Sequence, residues 1–243
     1  MKHLKVIIPV STDKYNGGVL EEIKKNYNLD PEIEVTVDSL EKGPVSVECE
    51  YDCTLAAPHV VASARDAERK GCDGIVVYCF DDPGVNACKE VLHIPVVGAG
   101  EAAVIMAALV GKKFSILLTV ENSIEVTRAV VERLSLLPKL ASIRTINVSV
   151  IELSKQADLK ERLFEAALTA INQDLADTIV LGCTGMVGVA EYIKTGLLNV
   201  LGYSIPVLEP GACSLHLLRA LVSMNCNQSK RVYMEPPEKE RKF

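Results

Sequence analysis

The 243-residue sequence lacks long hydrophobic runs and an excess of positive charge, and both absences narrow the range of functions. No window of about 18 apolar residues occurs, so we expect no transmembrane helix. The chain starts directly with the strand-like stretch LKVIIPV and shows no signal-peptide arrangement, which predicts a cytoplasmic protein. The 26 basic and 32 acidic residues are interspersed and give a net charge of -6, so we expect no nucleic-acid partner.

Motifs that bind nucleotides or metals are also missing. The glycines between residues 98 and 111 do not form a G-x-G-x-x-G fingerprint after a first strand, and no Walker-type loop is present. Cys49 and Cys53 with His59 are not followed by a second ligand pair at standard spacing. We therefore expect neither a metal nor a cofactor.

What the sequence does contain is an internal repeat of an α/β pattern. Short runs such as KVIIPV, IEVTVDSL, GIVVYC and IPVVGAG alternate with longer amphipathic stretches, which is typical of parallel strands covered by helices. Four similar runs recur in order roughly 104 to 111 residues later, as FSILLT, INVSVIEL, TIVLGC and YSIPVL. The sequence therefore predicts an α/β fold of two pseudo-symmetric domains, each an open, mainly parallel sheet, with the active site in the cleft between them.

The repeat also predicts where the domains begin and end. We assign residues 1–98 and about 211–234 to the first domain and residues 99–210 to the second, because the helix after the fourth strand of each half is expected to cross over. The first domain is then discontinuous. Residues 235–243, EPPEKERKF, are charged and contain proline, which predicts a flexible tail.

Each half places one cysteine at the carboxyl end of its third strand, Cys79 in the first and Cys183 in the second. Parallel sheets bind ligands at this edge, so we expect the two thiols to flank one cleft. A turn into a helix follows each cysteine, and its N–H groups favour a thiolate. One thiolate can then remove a proton from a carbon while the opposite thiol protonates the other face, which inverts the centre. Backbone N–H groups, with Ser11, Thr12 and Thr119, are candidate donors to the developing oxyanion.

The other six cysteines have no symmetric counterpart at a strand end. In a cytoplasmic chain of this length we expect all thiols to stay reduced, and small buried thiols are common in protein cores. We therefore interpret six cysteines as structural: Cys49, Cys53, Cys72, Cys88, Cys213 and Cys226.

At the two strand-end cysteines the sequence resembles the aspartate/glutamate/hydantoin racemase superfamily, and more closely its hydantoin and allantoin racemase branch. The resemblance implies a cofactor-independent two-base racemase with Cys79 and Cys183 as the acid–base pair, acting on a small molecule as a homo-oligomer. The first loop departs from the branch, because IIPVSTD stands where Asn-Pro-Asn-Thr is usual. The matching stretches are GPVSVECEYD (43–52), DGIVVYCFDDPG (73–84), IPVVGAGEAA (94–103), FSILLT (114–119), IVLGCTGM (179–186) and IPVLEPG (205–211).

The resemblance also implies which loops bind the substrate. Ser11 and Thr12 match the first loop, and Thr119 and Thr184 match equivalent positions in the second half, while Glu48 lies in a motif near the pocket. Thr184 and Gly185 also permit close backbone approach to a small anionic ligand. The predicted substrate-binding residues are Ser11, Thr12, Glu48, Phe80, Asp81, Thr119, Thr184 and Gly185.

The residues leave the substrate open between two classes. A hydantoin ring binds through neutral donors and acceptors, whereas an amino acid needs an anion cradle and an acidic partner for its ammonium, for which Asp81, Asp82 and Glu48 are candidates. We favour a 5-substituted hydantoin or related ureide, followed by aspartate or glutamate. The alternatives are a cysteine-dependent cis-trans isomerase of a small dicarboxylate and a non-catalytic two-lobed protein that binds a small ligand. A decarboxylase that uses one cysteine is not favoured, because both thiols are present.

Overall fold

A computed structural model describes residues 1–241 of the chain, of which Ser154 is described in its backbone only. The described residues form two four-stranded parallel sheets, with strand orders β2-β1-β3-β4 and β6-β5-β7-β8. Both sheets thus have the same order, which confirms the predicted pair of pseudo-symmetric α/β units. The strands are β1 (Lys2–Ile8), β2 (Ile33–Ser39), β3 (Gly74–Val77), β4 (Val96–Gly98), β5 (Phe114–Leu118), β6 (Leu140–Thr145), β7 (Thr178–Leu181) and β8 (Val207–Leu208).

Helices cover both faces of the sheets, as a parallel arrangement requires. They are α1 (Asn16–Asn26), α2 (Glu50–Arg69), α3 (Val85–Val91), α4 (Ala99–Val110), α5 (Ile124–Arg133), α6 (Leu159–Asp174), α7 (Ala190–Leu201) and α8 (Pro210–Ser223). Short 3-10 helices span Asp13–Tyr15, Glu121–Ser123, Leu137–Lys139 and Val150–Lys155. Helix α8 begins at Pro210, whose fixed φ and missing N–H suit a first turn, and Gly202, in the left-handed conformation (φ 77°), caps the C-terminal end of α7.

The inner strands carry the core of each half. Every residue of β3, β5 and β7 is buried, because each of these strands lies between two neighbours and under helices on both faces. This burial explains their almost continuous apolar sequences, which differ from the alternation of a half-exposed strand. The strand ends are thereby held rigidly, and β3 and β7 end two residues before Cys79 and Cys183.

Helices α4 and α8 each pack beyond their own half. Helix α4 follows β4 but contacts β7 and β8 of the second sheet, while α8 follows β8 and contacts β3 and β4 of the first. The two helices also pack closely on each other. These contacts support the division into residues 1–98 with 211–234 and residues 99–210, which stays a prediction.

The C-terminal segment contains no helix or strand between residues 235 and 241, and residues 242–243 of the predicted flexible tail lie outside the described part of the chain. The preceding residues run along α3, where the Asn227 amide donates to the His93 carbonyl (2.6 Å) and Lys230 Nζ donates to the Glu90 carbonyl (2.7 Å). No helix within residues 1–241 combines the length and apolar character that crossing a membrane requires.

Candidate active site

A cavity of about 360 Å³ lies at the carboxyl ends of the inner strands of both sheets, and both strand-end cysteines line it. The first half contributes the loop after β1, one face of α1, residues 45–47 and the loop after β3. The second half contributes residues after β5 and β7 and part of the 3-10 helix Val150–Lys155. The cavity therefore occupies the cleft that the sequence repeat predicts.

The two cysteine loops share one backbone geometry. The N–H of the residue before each cysteine donates to the neighbouring strand, Tyr78 to Ile7 and Gly182 to Leu117, both at 2.8 Å. Each cysteine carbonyl then accepts from the N–H three residues later, at 3.2 Å in both halves. These matched turns aim the two half-buried thiols at the same cavity.

Burial sets the protonation state of both thiols. It raises the pKa of Cys183 from 9.0 to about 11, against the opposing effect of the Gly185 N–H, which donates to Sγ at 3.3 Å. It also raises the pKa of Cys79 well above its usual value, and the Asp81 carboxylate adds to that effect. Each cysteine thus holds its proton at neutral pH, because burial outweighs the N–H groups of the turns, and the expectation that these turns favour a thiolate is wrong for both cysteines. The proton donor of a two-base pair needs this protonated state.

Asp81 is a buried carboxyl group in the cavity wall. Desolvation raises its pKa from 3.8 to about 7, although Thr127 Oγ1 donates to Oδ1 at 3.2 Å and opposes the rise. The nearby carboxylate of Glu50 raises it further. Asp81 also raises the pKa of both thiols, so its charge and theirs are linked. Phe80 beside it is buried and lines the same cavity.

Asp82 faces away from this cavity and fixes the start of α4. Its carboxylate accepts the N–H groups of Gly100 and Glu101, both at 2.9 Å, and Arg133 Nη2 pairs with it at 2.9 Å. A β-carbon on Gly100 would lie 1.8 Å from the Phe80 carbonyl, so the loop and the helix can approach this closely only with glycine there. These contacts hold the Cys79 loop in place and engage Asp82, one of the candidate partners for a substrate ammonium.

Thr119, Thr184 and Gly185 line the cavity from the second half. Thr119 is buried, and the Thr184 hydroxyl donates to the Tyr78 carbonyl at 3.3 Å, which joins the loops of the two halves. The structure thus brings Phe80, Asp81, Thr119, Thr184 and Gly185 together around the two cysteines, and their substrate contacts stay predictions.

The remaining predicted binding residues do not line the cavity among the residues described. Ser11 Oγ donates to the Pro44 carbonyl at 3.2 Å, and Thr12 accepts from the Lys14 N–H at 3.4 Å as the cap of a 3-10 helix. Both side chains thus shape the first loop. Their direct contact with substrate stays a prediction.

Glu48 joins the two halves at the edge of the cavity. Its Oε1 accepts from the Ser149 hydroxyl at 2.8 Å and from the Val150 N–H at 2.9 Å, and its carbonyl accepts from Ser123 Oγ at 2.9 Å. The next part of its motif turns outward, since Tyr51 is 70% exposed. Glu48 still acts electrostatically on Cys183, whose pKa it raises.

Sequence reasoning missed one wall of the cavity. Tyr15, Gly18, Val19 and Glu22 line it from α1 and the turn before it, and Val45, Val47, Ile151 and Leu153 add apolar surface. The spacing 15, 18, 19 and 22 places four residues on one helix face, which was the available signal. That signal shows a buried face but not whether a ligand or the core covers it.

Comparison with known proteins agrees with this architecture. A family model described as Asp/Glu/Hydantoin racemase matches residues 4–218. A hydantoin racemase from Paenarthrobacter aurescens is 34% identical over 202 residues, covering 82% of this chain and 83% of that protein. The solved allantoin racemase from Klebsiella pneumoniae superposes with a TM-score of 0.90 at 26% identity, covering 100% of this chain and 97% of that one. The allantoin racemase from Pseudomonas fluorescens gives 0.89 at 25% identity, covering 99% and 100%. The chain therefore belongs to the Asp/Glu/hydantoin racemase family of isomerases.

Proposed function

We propose that this protein is a cofactor-independent racemase that inverts an acidic Cα–H centre of a 5-substituted hydantoin or related ureide, with Cys79 and Cys183 as its two acid–base groups. The observation that carries the proposal is that one cavity of about 360 Å³ is lined by two thiols from equivalent turns of two pseudo-symmetric halves. Similarity to curated hydantoin racemases supports the substrate class.

The two thiols exchange roles in each direction of the reaction. The active form is the fraction of enzyme in which one cysteine has released its proton to solvent. That thiolate takes the α-proton and becomes a thiol, while the electron pair of the C–H bond moves into the adjacent carbonyl. The opposite thiol then gives its proton to the other face of the carbon and becomes the thiolate. The developing oxyanion needs hydrogen-bond donors, for which Thr119 and the N–H groups after each cysteine are candidates. Because the pKa of each buried thiol is high, each thiolate is a strong base once formed.

The cavity wall favours a neutral ring over a dicarboxylate. Among the described residues that line it, Lys14 is the sole lysine or arginine, and its side chain is exposed at the edge. Aspartate, glutamate or the dicarboxylate of a cis-trans isomerase would bring two carboxylates beside Asp81, a buried acid. A hydantoin avoids this repulsion, because its ring carries neutral donors and acceptors.

Substitution of the two cysteines distinguishes a racemase from a non-catalytic binding protein. We expect Cys79→Ser and Cys183→Ser each to lower racemisation by orders of magnitude, because each variant lacks one efficient acid–base group. Binding should persist in both, since serine keeps the shape of the side chain. Cys226→Ser is the matched control, because Cys226 is exposed and does not line the cavity.

The assay follows optical rotation and the α-proton NMR signal in deuterium oxide, without added cofactor, for enantiopure 5-substituted hydantoins, allantoin, aspartate and glutamate. Loss of rotation with deuterium at the α-carbon identifies racemisation and the substrate class together. In each serine variant, slow exchange should persist for one enantiomer, and the two variants should differ in which one. Small and equal losses for both enantiomers would contradict the two-base assignment.

We also propose that the protein is cytoplasmic and, from the family resemblance, that it is a homo-oligomer. Analytical ultracentrifugation of the purified protein tests the oligomeric part, and a single monomeric species at assay concentration would contradict it.

A further inference from the structure

Glu22 is a buried acid in the apolar part of the cavity wall. It lies on the face of α1 that lines the cavity, next to Val19 and one turn after Gly18. Only 7% of the residue is exposed. The first half also contributes Val45 and Val47 to the cavity lining, and these offer no polar side-chain atoms.

One carboxyl oxygen of Glu22 has no hydrogen-bond partner in the part of the chain that the structure describes. The other, Oε1, accepts from Tyr27 Oη at 3.5 Å, and Tyr27 Oη lies 3.0 Å from Tyr78 Oη. A β-carbon on Gly211 would lie 2.3 Å from Tyr78 Oη, so the first turn of α8 leaves space for these hydroxyl groups. The network satisfies Oε1 and leaves Oε2 buried without a partner among the described residues, on a side chain that lines the cavity.

Glu22 lies beside the hydroxyl groups of Tyr27 and Tyr78, on the α1 side of the cavity. The Asp81 carboxylate raises the pKa of both thiols, and Glu48 also raises that of Cys183. Glu22 instead raises the pKa of Tyr27 and of Tyr78. If the ring has its Cα between the two thiols, its 5-substituent can extend toward α1 and Glu22. The groups that face Glu22 are Glu209, Tyr27 and Tyr78, and burial together with the Glu209 charge raises the pKa of Glu22 to about 7.

We propose that Glu22 determines substrate choice by accepting a hydrogen bond, through Oε2, from an N–H or O–H group at the end of the 5-substituent. This inference rests on the proposed hydantoin racemase function. An unpaired buried acceptor is costly, and a substrate donor removes that cost. A cavity built to bond a donor rejects an apolar isostere far more strongly than an apolar cavity rejects a substrate of slightly different size. The preferred 5-substituent thus has an apolar stem and a neutral donor end, such as a carboxamide or a urea.

The test compares pairs of substrates that differ only at this end. We would measure kcat/KM for racemisation of 5-(carbamoylalkyl)hydantoins with one, two or three methylene groups, each against the branched-alkyl isostere in which CH(CH3)2 replaces CONH2. Wild-type enzyme should favour at least one carboxamide by about tenfold or more. Glu22→Leu should reverse that preference and retain racemisation of the alkyl isostere, and Glu22→Gln, which keeps an amide oxygen, should lie between them.

Glu21→Leu is the matched control, because Glu21 is the neighbouring residue on α1 and its side chain is 78% exposed. It should leave the carboxamide-to-alkyl ratio unchanged. If hydantoins are racemised but Glu22→Leu and Glu22→Gln leave the ratio as in wild type, or wild type favours every alkyl isostere, the role of Glu22 is overturned while the racemase function stands. If no hydantoin of the series is racemised or exchanged, both proposals are overturned.

Discussion

Replacing Asp81 by asparagine should stabilise the protein, and the gain should grow with pH. Asp81 is 9% exposed, and its pKa rises from 3.8 to about 7 in the folded protein, mainly through desolvation. A folded-state pKa above the unfolded value makes the folded protein bind the proton more tightly. The stability that the protonated carboxyl provides is therefore present below about pH 4 and is lost as the pH rises to about 7.

The magnitude follows from the size of the shift. A shift from 3.8 to about 7, at roughly 1.4 kcal/mol per pKa unit, is worth about 4 kcal/mol. Asparagine keeps the shape of the side chain and an oxygen for the Thr127 hydroxyl bond, but carries no charge at any pH. The difference in unfolding free energy between Asp81→Asn and wild type should thus be small near pH 4 and reach about 4 kcal/mol in favour of the variant near pH 8.

Urea unfolding of both proteins at several pH values between 4 and 8 measures this difference. Asp174→Asn is the control of opposite sign, because Arg144 pairs with Asp174 at 2.6 Å and lowers its pKa. That variant should be less stable than wild type at neutral pH, and its deficit should shrink as the pH falls. A stability difference for Asp81→Asn that is independent of pH, or that decreases as the pH rises, would refute the reasoning.

Two further predictions concern backbone space and thiol chemistry. Gly100→Ala should lower the unfolding free energy by about 3 kcal/mol or more, because its new β-carbon would meet the Phe80 carbonyl. Gly17→Ala should raise the unfolding free energy by up to about 1 kcal/mol, because no atom of the described residues lies within 4 Å of the new β-carbon. Thermal and urea unfolding of both variants check this, and equal effects would contradict it. The rate at which iodoacetamide alkylates Cys183 should rise about tenfold per pH unit and reach no plateau below pH 10, since the pKa of Cys183 is about 11. Peptide mass spectrometry measures this rate, with the exposed Cys226 as the reference. A plateau near pH 8 would show an ionised thiol instead.

The fold was predictable because its signals are local and repeated. Strands buried on both faces require continuous apolar runs, and the covering helices require amphipathic ones, so the order of elements can be read along the chain. The duplication adds that each element occurs twice in the same order. It therefore predicts two equivalent sheets, and it places Cys79 and Cys183 at equivalent strand ends before any contact is known.

The site was predictable only in part. The loops that follow the strands carry Phe80, Asp81, Thr119 and Thr184 into the cavity, because the carboxyl ends of parallel strands meet at one edge. The same rule could not show that Glu48 would bond across to the second half at Ser149, 101 residues later. A loop carboxylate has the same sequence signature whether it meets a substrate, solvent or another loop.

The sequence by itself determined the strand pattern, the duplication and the two thiols at equivalent strand ends, because these depend on periodicity and on residues close along the chain. Only the tertiary structure decided that Asp82 would bond the start of α4 and Arg133 while its neighbour Asp81 lined the cavity. It also decided that one oxygen of Glu22 would be buried with no partner among the residues that the structure describes. The physical reason is that desolvation and hydrogen bonding depend on which distant segments pack together, and adjacent acids in a chain can therefore have opposite roles.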